Sequence, residues 1–181
     1  MQSNLDTQAP IENKAKCEVQ KIYVKEITCK VPQAPGFFVN SDFAKGKWEP
    51  TFSLEMHVKH QIVADNRHEV VLQATAHIKT KENITAFTLE VQQAGLFLFA
   101  EMTSEQIAQF VKTQCPAVLY PYLGRAISEA SVQAGFPALL MPMPNIDQMT
   151  VQAEAGATSS LGKVAGNVNK ELIQPGAVPV N

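Results

Sequence analysis

Charge is what this 181-residue chain has least of: Asp, Glu, Lys and Arg make up 18% of it, and 15 basic against 17 acidic residues leave a formal charge of −2. Without a basic surplus, counterion release gives no drive toward nucleic acid. Without an acidic excess, any acidic docking surface must be local. Cysteine is equally scarce. Cys17, Cys29 and Cys115 are odd in number, widely spaced and not near a His at zinc spacing. They predict free thiols in a reducing cytosol rather than a disulfide framework or a metal site. Long apolar runs are missing too. The longest strongly apolar stretch, residues 94 to 100, falls far short of a bilayer span. The polar N-terminus carries no signal-peptide core. The expected location is cytoplasmic, with no membrane insertion and no nucleic-acid partner.

Catalytic signatures are lacking as well. No GxGxxG, phosphate-binding P-loop, GxSxG or HExxH occurs. His57 and His77 fall on the polar faces of expected strands and could approach each other, with Glu55 as the only evident carboxylate nearby. His60 and His68 fall on the apolar faces. Hydrogen-bonded sheet histidines account for all four. No catalytic residue, metal or cofactor is expected, and the balance tips toward a binding protein.

What is present reads as one domain with two tails. Residues 1 to 16 are polar and without periodicity. Residues 155 to 181 are rich in Gly, Ala, Ser, Val and Pro and offer no sustained apolar face. Both predict mobile segments, leaving an ordered domain over 17 to 154. Phe52, Leu54, Met56, Val58, His60 and Ile62 alternate with polar residues, and so do Val70, Leu72, Ala74, Ala76 and Ile78. Period two means strands with one buried face. Ala64-Asp65-Asn66 supplies a hairpin turn between them. A second polar turn at 80 to 83 leads to a third strand through Phe87, Leu89 and Val91. Residues 17 to 31, rich in β-branched side chains, predict a fourth strand, ended by Pro32 and Pro35.

Thr103 and Gln106 form a capping box for a helix bearing Ile107, Phe110 and Val111. Pro116 interrupts it and can open a second helix. That helix carries an apolar stripe from Val118 to Ala130 and contains Pro121, which should kink it or mark an irregularity. Gly135 should end it in the left-handed conformation. Asp147 could cap a closing helix over 148 to 155.

Two features exceed what a small core needs. The connection from 32 to 50 is long and holds Phe37, Phe38, Phe43 and Trp48, which either cap the chain's own core or line a groove. After the main helix, residues 137 to 147 bring Leu139, Leu140, Met141 and Met143 among prolines, an apolar set for a loop. With exposed strand backbone, such surfaces would accept extended polypeptide of varied sequence.

Several blocks, in order along the chain, carry a family resemblance: residues 20 to 27, Trp48-Glu49-Pro50, Glu90-Val91-Gln92-Gln93 with Gly95 and Phe97, Cys115-Pro116 with Leu119-Tyr120-Pro121-Tyr122, Gly135-Phe136-Pro137 and Pro144-Asn145-Ile146-Asp147. They resemble the SecB protein-export chaperones of bacteria. The resemblance implies an α+β fold, a four-stranded antiparallel sheet with two helices packed on one face, assembled as a homotetramer, a dimer of dimers. It implies a chaperone that works without nucleotide, binds unfolded precursor polypeptides in the cytosol and delivers them to the SecA translocation motor.

By that resemblance the polypeptide-binding groove lies between the loop 32–50 and the segment 137–144, with Phe37, Phe38, Trp48, Tyr120, Tyr122, Leu139 and Leu140 as its walls. Glu26 and Glu90 occupy SecA-binding positions, while Lys30 stands where an acid is usual and Thr88 where an apolar residue is usual. Leu89, Val91 and Gln93 match oligomer-interface positions, although ordinary core packing would account for them equally. The near-neutral charge and non-acidic tail depart from the family pattern. They keep open a SecB-like chaperone dedicated to one client, such as an antitoxin, and not coupled to SecA. A small-molecule enzyme using His57 and His77 is the remaining alternative.

Overall fold

Alternation of apolar and polar side chains becomes, in the computed structural model, a single antiparallel sheet. The structure describes residues 15–141 and, as backbone, 158–167. In chain order the elements are β1 (Lys16–Lys30), α1 (Gly36–Asn40), β2 (Thr51–Ala64), β3 (Arg67–Lys79), β4 (Thr85–Ala100), α2 (Ser104–Lys112), α3 (Gln114–Gln133) and β5 (Thr158–Asn167). The sheet order is β1-β4-β3-β2-β5. β2, β3 and β4 form the expected meander, and β1 lies against β4. The β2–β3 turn closes with Asn66 at φ 54° and the β3–β4 turn with Asn83 at φ 62°, the left-handed positions that Asn tolerates best after Gly.

The register assigns the two faces. On the inner face Phe52, Leu54, Met56 and Val58 stand opposite Ile78, Ala76, Ala74 and Leu72, which in turn face Phe87, Leu89, Val91 and Gln93. These apolar side chains are buried, and α3 packs over them. Leu119, Leu123 and Ile127, spaced by four along α3, supply its buried stripe. Gly95 permits this approach: a Cβ there would lie 2.6 Å from the Phe97 ring and 2.9 Å from Leu119 Cδ2.

The helix ends follow the local chemistry. Gln106 N–H donates to Thr103 Oγ1 at 3.3 Å and Thr103 N–H to Gln106 Oε1 at 2.8 Å, the expected reciprocal cap. α2 and α3 break at Thr113, and Pro116 sits in the first turn of α3 at its third residue, two places later than expected. Its missing N–H costs nothing there. Pro121 lies inside α3. Gly135, at φ 89°, closes α3. Phe136 N–H bonds Ser131 O at 3.1 Å and Gly135 N–H bonds Val132 O at 3.0 Å, the paired bonds of a Schellman ending.

Two features differ from expectation. The connection 32–50, read as loop, contains the five-residue α1. Residues 158–167, within the segment expected to be a mobile tail, pair antiparallel with β2. Backbone hydrogen bonding to an open edge asks little of the side chains, so periodicity gave no warning of it. The closing helix over 148 to 155 and Met143 lie outside the described residues.

Candidate functional site

The long connection is held in shape by its own backbone. Phe37 N–H bonds Gln33 O at 2.9 Å, and Phe38 N–H bonds Pro35 O at 3.0 Å. Lys47 N–H returns to Asp42 O at 2.8 Å. These turns project Phe37, Phe38, Phe43 and Trp48 toward Phe136, just beyond the end of α3. The Phe136 ring centroid lies 5.6, 5.2, 5.4 and 5.4 Å from those four and 4.3 Å from Phe87, which it stacks. These spacings fall in the range of favourable aromatic pairs. Phe136, absent from the expected walls, is thus the hub of the loop. Its signal was its place directly after the helix-ending Gly135, where an apolar residue commonly packs back.

The rings are not equally hidden. Phe37 and Phe136 are buried at 4% exposure; Phe38, Phe43 and Trp48 are half-buried. So the loop both caps the core and presents ring edges outward. Beside it a cavity of about 350 Å³ is lined by Phe43, Trp48, Asp42, Glu49, Lys81 and Glu82 among others. The cavity rim carries the Lys81–Glu49 and Lys45–Asp42 ion pairs. A second cavity of about 510 Å³ runs from Phe37 and Ser41 to Ile84.

The segment after Phe136 returns along α3. Leu139 N–H donates to Ser131 Oγ at 2.9 Å, and that hydroxyl donates to Ser128 O at 2.8 Å. Met141 reaches Gly124, where a Cβ would sit 3.6 Å from it. Leu139 is buried and Leu140 is exposed at 40%. Tyr120 is buried, and burial pushes its phenol pKa up. Tyr122 stands apart from the other expected walls: it is 50% exposed, on the outward stripe of α3 with Val118, Arg125, Glu129 and Val132. Among the seven expected walls, then, Phe37, Phe38 and Trp48 come together; Tyr120 and Leu139 belong to the core; Leu140 and Tyr122 face outward.

The outer face of the sheet follows a different chemistry. Glu69 is its centre. Lys25 Nζ donates to it at 2.8 Å and Gln61 Nε2 at 2.5 Å, and the Tyr23 hydroxyl donates to it as well. Burial alone would raise the Glu69 carboxyl; the Lys25, Tyr23 and Gln61 contacts outweigh it and hold the pKa below the usual value. Tyr23 is pushed up to about 12, first by its bond to Glu69 and then by burial. Thr28 lies opposite Glu90 and Glu26 opposite Gln92, so Glu26 and Glu90 share this face as diagonal neighbours. Gln92 Nε2 donates to Glu26 at 2.9 Å and Gln73 Nε2 to Glu90 at 2.6 Å. Lys30 pairs with Thr88 on the same ladder.

Leu89, Val91 and Gln93 point to the inner face and are buried within the single chain. Gln93 Nε2 donates to Tyr23 O at 2.9 Å.

The histidine pairing is corrected. His57 lies opposite Gln73 and His77 opposite Ser53, so four residues of ladder, roughly 13 Å, separate them. The two do not converge. His60 and His68 do: His60 Nε2 and His68 Nδ1 are 2.7 Å apart, their rings stacked. Burial lowers the pKa of both, and the neighbouring His68 lowers His60 further. Sequence parity places both on apolar faces; the register, with His60 opposite Val70 and His68 opposite Ile62, makes them diagonal neighbours. Among the described residues no group of three or more His, Cys, Asp or Glu side chains is placed to hold a metal ion, and no helix is long and apolar enough to cross a membrane.

Comparison with known proteins places this geometry. The family model for SecB, preprotein translocase subunit SecB, matches residues 11–156. The protein-export protein SecB of Nitrosococcus oceani is 34% identical over 140 residues, covering 77% of this chain and 82% of that protein. The SecB of Marinobacter nauticus is 32% identical over 142 residues, covering 78% and 82%. Among solved structures, a SecB-like chaperone of Mycobacterium tuberculosis, in complex with a peptide from the HigA1 antitoxin, superposes with a TM-score of 0.59 at 18% identity. The match covers 71% of this chain and 91% of that one.

Proposed function

The chain belongs to the SecB family of protein-export chaperones, and from that premise we propose that it holds unfolded precursor polypeptides in the cytoplasm, without nucleotide, and passes them to the SecA motor. The observation that carries the reading is the aromatic loop. It keeps Phe37 and Phe136 buried, yet it leaves Phe38, Phe43 and Trp48 half-open, with Phe43 and Trp48 lining a cavity. A client side chain the size of Leu or Phe gains about 1.5–3 kcal/mol on full burial. Several such contacts on one tethered chain add up to tight, sequence-tolerant capture. Phe38, Trp48 and Leu140 are its contact residues; Tyr120 and Leu139 support them from the core.

Assembly as a homotetramer, a dimer of dimers, is supported by apolar surface that one chain leaves open. Val19, Val24 and Ile27 on the inner face of β1 are 40–46% exposed, and Val118, Tyr122 and Val132 line the outer stripe of α3. In this reading Leu89, Val91 and Gln93 act on assembly through the packing beneath those surfaces. Native mass measurement tests this: a tetramer is expected, and a strict monomer overturns it.

Glu26 and Glu90 are the proposed SecA contacts. A second reading, a chaperone dedicated to one client such as an antitoxin and independent of SecA, draws on Lys30 and Thr88 in the same patch. Titration with the motor's C-terminal zinc-binding segment separates the two. Binding that Glu90→Lys abolishes supports export coupling. Absence of binding by the unaltered chain supports the dedicated chaperone.

A further inference from the structure

Strand β2 is the edge of the four-stranded array β1-β4-β3-β2, with none of those strands on its far side. Left open, its row of N–H and C=O groups would be a template for any extended chain, including another copy. The structure fills that edge with the chain itself: Thr51 pairs with Asn167, Phe52 with Gly166, Ser53 with Ala165, Leu54 with Val164 and Glu55 with Lys163. After a register shift, His57 pairs with Ser160, Val58 with Ser159 and Lys59 with Thr158.

The occupying segment is a poor strand by composition. Ser159, Ser160, Gly162, Ala165, Gly166 and Asn167 are residue types with low strand preference. Its ladder is also broken between Glu55 and His57. Sixteen residues, 142 to 157, tether it to the end of the core, a reach of up to about 55 Å. Being part of the same chain, the segment competes for β2 at an effective concentration that no separate chain shares. A weak strand on a short tether stays docked when nothing competes and leaves when something better arrives.

We propose that the β2 edge is a strand-accepting site for client polypeptide, and that residues 158–167 are its resident occupant, displaced when an extended client segment adds to β2. This rests on the chaperone reading above and extends it. The site would take backbone in β conformation with little regard to sequence, because main-chain hydrogen bonds supply the affinity. β2 begins at Thr51, directly after Trp48 and Pro50, so a client on this edge continues toward the aromatic loop. The resident strand would also keep two empty chaperones from pairing edge to edge.

The test compares the full chain with a full chain carrying Ser160→Pro and Val164→Pro, which cannot complete the β5 ladder. Amide hydrogen exchange should show the outward amides of 51 to 59 protected in the unaltered chain and at least tenfold faster in the proline variant, with β3 and β4 unchanged. Reduced, carboxymethylated α-lactalbumin is the client probe. If the edge is about 90% occupied by its own strand, releasing that strand tightens client binding about tenfold. Client added to the unaltered chain should speed exchange in 158 to 167 while 51 to 59 stay protected. Equal, rapid exchange of 51 to 59 in both chains overturns the resident strand. A difference in exchange with equal client affinity overturns displacement. If neither chain binds the client although their exchange differs, the chaperone reading fails and displacement with it, while the strand's occupancy of the edge stands on the exchange data.

Discussion

The aromatic end of the molecule and the outer face of its sheet sit on the same strands and are held by different means. At the aromatic end, Phe136 gathers five rings within 5.6 Å, and charged groups such as the Lys81–Glu49 pair stand at the rim. On the outer face, Glu69 gathers three donors from β1 and β2, and Glu26 and Glu90 are each held by a glutamine. Close packing is intolerant of deleted atoms, since a cavity forfeits contacts that nothing replaces. Glu69 is buried and depends on its donors, but the more exposed Glu26 and Glu90 can exchange a partner for water at small cost. Client capture should therefore live at the aromatic end, and docking of a charged partner at Glu26 and Glu90, where substitution has little bearing on stability.

The largest effect should come from Phe136→Ala. Removing the hub of the cluster should cost about 3–5 kcal/mol in urea unfolding, with Phe136→Leu costing markedly less. A loss under 1 kcal/mol would mean that the loop is not anchored there.

Gly95→Ala comes next. Its Cβ would meet Phe97 and Leu119 inside normal contact distance, so a loss of about 1–3 kcal/mol is expected from overpacking. The pair Gly95→Ala with Leu119→Ala should lose less than the sum of the single changes, because the smaller side chain makes room.

The His60–His68 pair predicts a pH dependence of smaller size. Burial lowers both pKa values from 6.5. The folded state therefore binds fewer protons than the unfolded chain just below that value. Stability should be full above about pH 6.5 and fall as pH drops through the lowered values. His60→Gln with His68→Gln should flatten that slope between pH 5 and 7 in thermal unfolding. An unchanged slope would place the titration elsewhere.

At the small end, Glu90→Lys should change stability by about 1 kcal/mol or less, since the half-buried Glu90 gives up a bond from Gln73. The same variant should lose the motor's zinc-binding segment altogether. A change of several kcal/mol instead would show that the outer face is structural after all.

Much of this division was legible in the sequence. Period two placed Phe52 through Val58 and Val70 through Ile78 on one face because a sheet with a single buried side must alternate. The Thr103 cap and the Gly135 ending were legible because each satisfies specific backbone groups. The aromatic loop could be recognised as anomalous, since four large rings must pack somewhere. The role of Phe136 could not be weighed, because its partners lie about a hundred residues upstream in the chain. The misplaced pairing of His57 and His77 has the same origin: parity gave the face, but only the register gives neighbours along it. Residues 158–167 were read as tail because their composition offers no hydrophobic period, and backbone pairing to an edge requires none.

The central claim is that the half-open rings of the aromatic loop capture non-native polypeptide. It is tested most directly by light scattering from a chemically unfolded protein diluted into buffer without nucleotide. The chain itself is compared with a variant carrying Phe38→Ala and Trp48→Ala, whose folding is verified by thermal unfolding. Suppression of aggregation at stoichiometric chaperone by the unaltered chain, lost in the variant, is the predicted result. No suppression by the unaltered chain, or equal suppression by both, would contradict the claim.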